Sequence, residues 1–388
     1  MINLANRMNR LGTETAFEVL AKAKKLEAEG KNIIHLQIGE PDFNTPSNIT
    51  EAGKKALDDG YTGYNPSAGY DELKEQIKIY SKNIRSYEFD KDQVVITSGG
   101  KPIMFYTMLA LINPGDEVLY PNPGFPIYES MINFVGGKAV PLKLEEKLGY
   151  NFDIGKVESL INENTKLIIL NSPNNPCGSA IDAKNMSKLA NILENKNITI
   201  LSDEIYSQFL YEGSHSSISN HKNLNSKTII LDGFSKSYSM TGWRIGYGIF
   251  PKELVDPITK LVTNSNSCTA SFTQIAAIEA LKGSQKSVTK MVNEFKSRRD
   301  LIVDGLNNIK NISCPKPSGA FYVFPNITKT GLSSESFANR LLEENGVATL
   351  SGESFGEEGK GYIRISFANS KENISEALNR IEDFVNKL

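Results

Sequence analysis

The chain has 388 residues, 39% of them hydrophobic, enough to bury a large core and to build two or three domains. A net charge of −2 and a pI near 6.1 leave no basic field for nucleic acid or an anionic membrane surface, so the expected partners are small molecules or a second copy of the chain. Cys177, Cys268 and Cys314 are too few and too scattered for a disulfide framework or a Cys-x-x-Cys metal site.

In chain order, "MINLANRMNRLGTETAFEVLAKAKKLEAEG" has no apolar run of signal-peptide length, and no later segment approaches a membrane span, so a cytoplasmic location is expected. This N-terminal helix and the strand "NIIHLQIG" precede a turn at Asn44 to Ser47 that leads into the main body of the chain. From Val94 to Ile249 short apolar runs, "QVVIT", "DEVLYP", "KLIILNSP", "ITILSDE", "TIILDGFS" and "WRIGYGIF", alternate with helical patterns. Strands separated by helices predict an α/β fold with a mostly parallel sheet, whose ligands gather at the carboxyl ends of the strands. Beyond Pro251 the pattern is helical to about Ile309, and then "GAFYVFP", "GVATLSG" and "GYIRISFA" alternate with two helices. The prediction is a large domain over 45–284 and a smaller α+β domain built from both termini, 1–44 and 285–388, with a cleft between them. No repeat and no Pro-, Gly- or Ser-rich linker interrupts the chain.

The polar clusters fall at the predicted strand ends. In "ILSDEIY", Asp203 follows Ile200, Leu201 and Ser202, where a carboxylate is costly unless a cation or a proton donor meets it. A structural salt bridge, a helix cap, or a partner for a protonated ring nitrogen would each satisfy it, and Tyr206 offers a phenol three residues on. In "GFSKSYSMTGWRIGY", Lys236 follows a buried strand and is flanked by Ser235 and Ser237. Held among cations and partly desolvated, such an amine becomes a nucleophile for an aldehyde. Ser235 and Arg244 suit a phosphate ester, each charge-assisted bond being worth roughly 1.5–3 kcal/mol. An amine for an aldehyde beside a phosphate site points to pyridoxal phosphate.

Three further segments fit around that group. Gly99 and Gly100 stand between a strand and a helical pattern, where bare amides can approach an anion, although Lys101-Pro102 rules out a Walker loop. Asn175 in "NSPNNPCGS" sits in turn chemistry from which it can donate to a ring oxygen. Phe125 in "YPNPGFPIY" is either a core residue or a ring to stack on an aromatic cofactor.

The blocks "GEPDFNTP", "YNPSAGYDELKEQI", "ITSGGK", "SPNNPCG", "SDEIY", "SKSYSMTGWRIGY", "SGAFYVFP" and "GYIRISFA" run in this order nearly end to end, and together the chain resembles the class I/II aminotransferases, fold-type I pyridoxal-phosphate enzymes related to aspartate aminotransferase. The resemblance implies Lys236 as the lysine that bonds the cofactor aldehyde and shuttles a proton, Asp203 against the ring nitrogen, and Tyr206 with Asn175 on the ring hydroxyl. It implies Gly100, Lys101, Ser235 and Arg244 around the phosphate, with Gly99 beside them, and Phe125 on the ring face. Tyr64 would reach the phosphate site of a neighbouring subunit, so a homodimer with active sites at the subunit interface is implied. Arg364 would clamp a substrate α-carboxylate, helped by the Gly39 backbone. One departure is Cys177, where the family usually has threonine.

For the substrate, Lys101 directly after the glycine pair either meets the distal carboxylate of an aspartate-type donor or contributes only its backbone amide. A glutamate/2-oxoglutarate half-reaction is expected under both readings. Aminotransfer on neutral or aromatic amino acids, or a lyase or synthase reaction on the same fold, uses the same core residues. A hydrolase is disfavoured: "GESFG" matches Gly-x-Ser-x-Gly, but His35, His215 and His221 all precede Ser354. A metal site is not expected, nor is an appended DNA-binding domain, because the chain starts directly with the aminotransferase-like helix.

Overall fold

A computed structural model describes residues 2–388. Its strands are β1 (Ile34–His35), β2 (Val94–Thr97), β3 (Glu117–Asn122), β4 (Lys138–Lys143), β5 (Thr165–Asn171), β6 (Thr199–Asp203), β7 (Thr228–Gly233), β8 (Gly246–Ile249), β9 (Tyr322–Val323), β10 (Val347–Ala348), β11 (Leu350–Ser351) and β12 (Ile363–Ser366). The central sheet has the order β2-β8-β7-β6-β5-β3-β4, and every pairing in it is parallel except those of β8 with β2 and β7. The mostly parallel α/β sheet read from the sequence is therefore present.

Its central strands are largely apolar because helices cover both faces. Along β5, Leu167 and Ile169 pack with Ile103, Met104, Ile132 and Ile258 of helices on one face, while Ile168 and Leu170 pack with Met186, Leu189 and Leu193 on the other. Each such side chain contributes roughly 1.5–3 kcal/mol on burial. Strand β4 was missed by the sequence reading, and the reason is its place. It is an edge strand paired only with β3, carries Pro141 opposite Tyr120, and buries Leu142 alone. An edge tolerates proline and exposed lysine that a central strand would not.

The terminal segments build smaller sheets. β1 pairs in parallel with β10, and β12 lies antiparallel between β11 and β9. Around them Phe295, Phe321, Phe337, Phe367 and Phe384 form a core that also takes in Tyr206 and Phe209 from the segment after β6. No helix among the described residues is long and apolar enough to cross a membrane.

The direction of β8 matters for the site. Because it runs against its neighbours, its first residue, Gly246, pairs with the last residues of β2 and β7, Thr97 and Gly233. The segment entering β8 thus reaches the same rim as the segments leaving the parallel strands.

Candidate active site

That rim encloses a cavity of about 500 Å³ whose walls include Gly39, Gly100, Lys101, Phe125, Asn175, Asp203, Tyr206, Ser235, Lys236, Arg244 and Arg364. Two residues singled out in the sequence are not on its walls. Gly99 lies behind them, and the Tyr64 side chain is 90% exposed on the surface.

Lys236 follows β7, and its ammonium donates to the Gly39 carbonyl at 2.6 Å. Burial pulls its pKa down to about 8; Glu40 opposes this, and Arg364 and Arg244 add to it. Asp203 ends β6 and is 3% exposed. It accepts the Tyr128 hydroxyl on Oδ2 at 2.6 Å and the Ile205 amide on Oδ1 at 3.2 Å, and no cation among the described residues lies within ion-pair distance. Burial pushes its carboxyl up to about 6, against the lowering effect of those two donors. The neighbouring carboxylates differ: Glu204 and Asp232 both hold the buried Arg85, and Glu204 also meets His215 at 2.7 Å. Asp203 is thus the buried acid of this group left without a counter-charge, and it faces the cavity.

Arg364, on β12, is the converse case. It is 4% exposed, donates from Nη1 to Asn175 Oδ1 at 3.1 Å and from Nη2 to the Gln37 carbonyl, and leaves Nε without a partner. Its guanidinium lies over the rings of Tyr322 and Phe355, 4.5 and 4.8 Å from their centroids. No carboxylate among the described residues pairs with it, and burial lowers its pKa. A buried guanidinium of this kind is a receptor for an anion.

The opposite wall is built for another anion. Gly100 caps the helix Lys101–Leu111, whose first amide, that of Lys101, has no acceptor within the helix. Gly99 has φ +93°, and a Cβ there would stand 2.4 Å from Arg244 Nη2, so only glycine lets the arginine lie against this turn. Arg244 is held by the Thr241 and Ser98 carbonyls at 2.8 and 3.3 Å. The Ser235 hydroxyl shares the cavity with them. Amides, a hydroxyl and a guanidinium converging at a helix N-terminus are the donor set of a phosphate.

Tyr206 shares a hydroxyl–hydroxyl bond of 2.7 Å with Tyr322, and Asn175 is fixed through its backbone amide on Asn171 Oδ1 at 2.9 Å. Phe125 stands edge-on to Tyr128, ring centroids 5.8 Å apart. Lys101 extends its ammonium to the Glu14 carboxylate, 5.8 Å above the Phe125 ring.

The sequence reading missed Tyr128, Asn171, Tyr322, Glu14 and Glu40, all on the cavity wall. Tyr128 stands three residues after Phe125 in a segment already under scrutiny, and a phenol one helical turn from a candidate stacking ring was the available signal. Nothing local marks Glu14.

The sequence pattern of the family described as aminotransferase class I and II matches residues 31–381. An aspartate aminotransferase of Pyrococcus horikoshii is 40% identical over 382 residues, covering 98% of this chain and 96% of its own. A (5-formylfuran-3-yl)methyl phosphate transaminase of Methanocaldococcus jannaschii is 42% identical, covering 99% and 100%. Among solved structures, the aspartate aminotransferase from Rhizobium meliloti superposes with a TM-score of 0.96 at 32% identity over the whole of both chains.

Proposed function

The chain belongs to the class I and II aminotransferases, and on that premise we propose that it uses pyridoxal 5′-phosphate to move an amino group from an L-amino acid, of the aspartate type, to a 2-oxo acid such as 2-oxoglutarate. The observation that carries this reading is a pair of buried groups on one cavity. The Lys236 amine has its pKa drawn to about 8, and Asp203 has no cation of its own.

The residues fit that cofactor. The Gly100 and Lys101 amides, Ser235 and Arg244 would hold its phosphate, with Gly99 keeping room for the arginine. Asp203, fixed by Tyr128, would hold a proton on the ring nitrogen, and Tyr206 with Asn175 would donate to the ring oxygen. Phe125 supplies an aromatic face. Once bound, the group supplies an electrophilic carbon and an electron sink.

The chain's own groups do the rest. Arg364, steadied by Asn175 and the Gln37 carbonyl, binds the substrate α-carboxylate and so orients the Cα–H bond. The Lys236 amine, whose pKa burial draws down to about 8, is the base for the proton at Cα and would return it two atoms further along, on carbon rather than on the intervening nitrogen. The Gly39 carbonyl is the acceptor on which the Lys236 ammonium rests in this structure.

A homodimer is part of the proposal. Tyr64 is 90% exposed, and Ile2 and Leu4 of the N-terminal segment are 92% and 71% exposed, separate apolar side chains that a second copy would cover. So is the division into 45–284 and a unit of 1–44 with 285–388, which the β1–β10 pairing supports. The test is an amino-donor panel, with aspartate, glutamate, alanine and phenylalanine offered against 2-oxoglutarate and oxaloacetate. Transfer from aspartate is expected, and turnover with none of the donors overturns the reading.

A further inference from the structure

Among the described residues, the cavity treats its cations unequally. Arg364 meets no carboxylate, whereas Lys101 is already paired with Glu14. Glu14 does not reach this position by chance of a free tail. Arg10 donates to the Asn133 and Phe134 carbonyls at 2.8 and 3.2 Å, and the Gly12 amide donates to Ser130 Oγ at 2.9 Å, so residues 10–12 are strapped to the helix Ile127–Val135. The strap sets Glu14 on the cavity wall, 17% exposed at its side chain. Glu14 is also the N-cap of the helix Thr15–Ala28, yet its carboxylate makes no capping bond to that helix. Its carboxylate goes to Lys101 instead.

We propose that Glu14 is a specificity-determining residue: by holding Lys101 in an ion pair, it makes any substrate carried by Arg364 compete with a carboxylate of the chain itself for the distal ammonium. A substrate whose far end is neutral enters beside an intact Glu14–Lys101 pair. A dicarboxylate binds its far end only by displacing Glu14 or by sharing Lys101 with it, and either route weakens its binding. Glu14 and Lys101 thus set how strongly the enzyme prefers dicarboxylates, and this rests on the cavity being the amino-acid site proposed above.

The test uses two acids that do not react, succinate and butyrate, titrated calorimetrically into the protein purified with pyridoxal phosphate. Glu14→Gln is expected to lower the succinate Kd about two- to fivefold relative to the butyrate Kd, the scale of an ion pair that solvent still reaches. Glu14→Ala should repeat the gain, and the double variant Glu14→Gln/Lys101→Ser should lose it. An unchanged succinate-to-butyrate ratio, or a gain that survives Lys101→Ser, overturns the role of Glu14 while leaving the amino-acid site in place. Failure of both acids to bind any of these proteins overturns the site reading, and the proposal falls with it.

Discussion

The Tyr128 hydroxyl donates to Asp203 Oδ2 at 2.6 Å, tying the helix that follows β3 to the last residue of β6. The bond partly offsets the burial that pushes Asp203 up to about 6. Removing the donor leaves burial less opposed, so the carboxyl of Tyr128→Phe titrates higher still. If ionised Asp203 is what holds a proton on the ring nitrogen, the acid limb of kcat/KM moves up by about one pH unit. A pH–rate profile checks this, and an acid limb that stays in place separates Tyr128 from the function of Asp203.

Asp203 also has a cost in the cofactor-free protein. Its folded value of about 6 exceeds the unfolded value of about 3.9, so the folded state holds the proton more tightly. Its contribution to stability is fully present below pH 4 and is lost as pH rises through 6. Asp203→Asn, which carries no charge at any pH, should therefore be more stable than the parent at pH 7 by about 2–3 kcal/mol, and no more stable at pH 4. Urea unfolding of cofactor-free protein at the two pH values measures the difference, and loss of turnover should accompany the gain.

Lys236→Ala should lose both turnover and the borohydride-reducible bond to pyridoxal phosphate, while the phosphate donors still bind the group weakly. Mass spectrometry after reduction checks the bond, and absorbance after dialysis checks retention. A fully active alanine variant would show that another amine bonds the aldehyde.

Arg364→Ala should raise KM for every α-amino acid by about ten- to a hundredfold, since it removes charge-assisted bonds worth roughly 1.5–3 kcal/mol. Steady-state kinetics on alanine and aspartate measures it. A KM that rises for aspartate alone would move Arg364 from the α-carboxylate to the far end of the substrate.

Asp203, Asn175, Ser235 and Lys236 were legible because the parallel sheet writes its rim into the sequence: a run such as "TIILDG" must end in a loop, and polar residues there face one side. Arg244 became legible with them because it lies in the same stretch as Lys236. Tyr128 and Tyr322 were not, because their partners lie 75 and 116 residues away and no local pattern encodes the meeting. Glu14 precedes an amphipathic helix like many surface glutamates, and only the strap to Ser130 and Asn133 gives it a destination. β1 and β10 were legible as the apolar runs "NIIHLQIG" and "GVATLSG", whereas β4 was hidden by Pro141 and its lysines.

The reversed strand β8 has a mechanical consequence. Lys236 and Arg244 lie on one connection whose two ends, Gly233 and Gly246, are paired side by side, with a Cβ at Gly233 only 3.0 Å from Gly246 Cα. The spacing between the amine and this arginine is therefore set within a single antiparallel connection, which bonds outward to Gly39 through Lys236 and to Ser98 through Arg244. Arg364 and Gly39 come from the opposite ends of the chain. The amine and this arginine are thus fixed by the large sheet and Arg364 by a small one, so the two walls of the cavity have separate anchors.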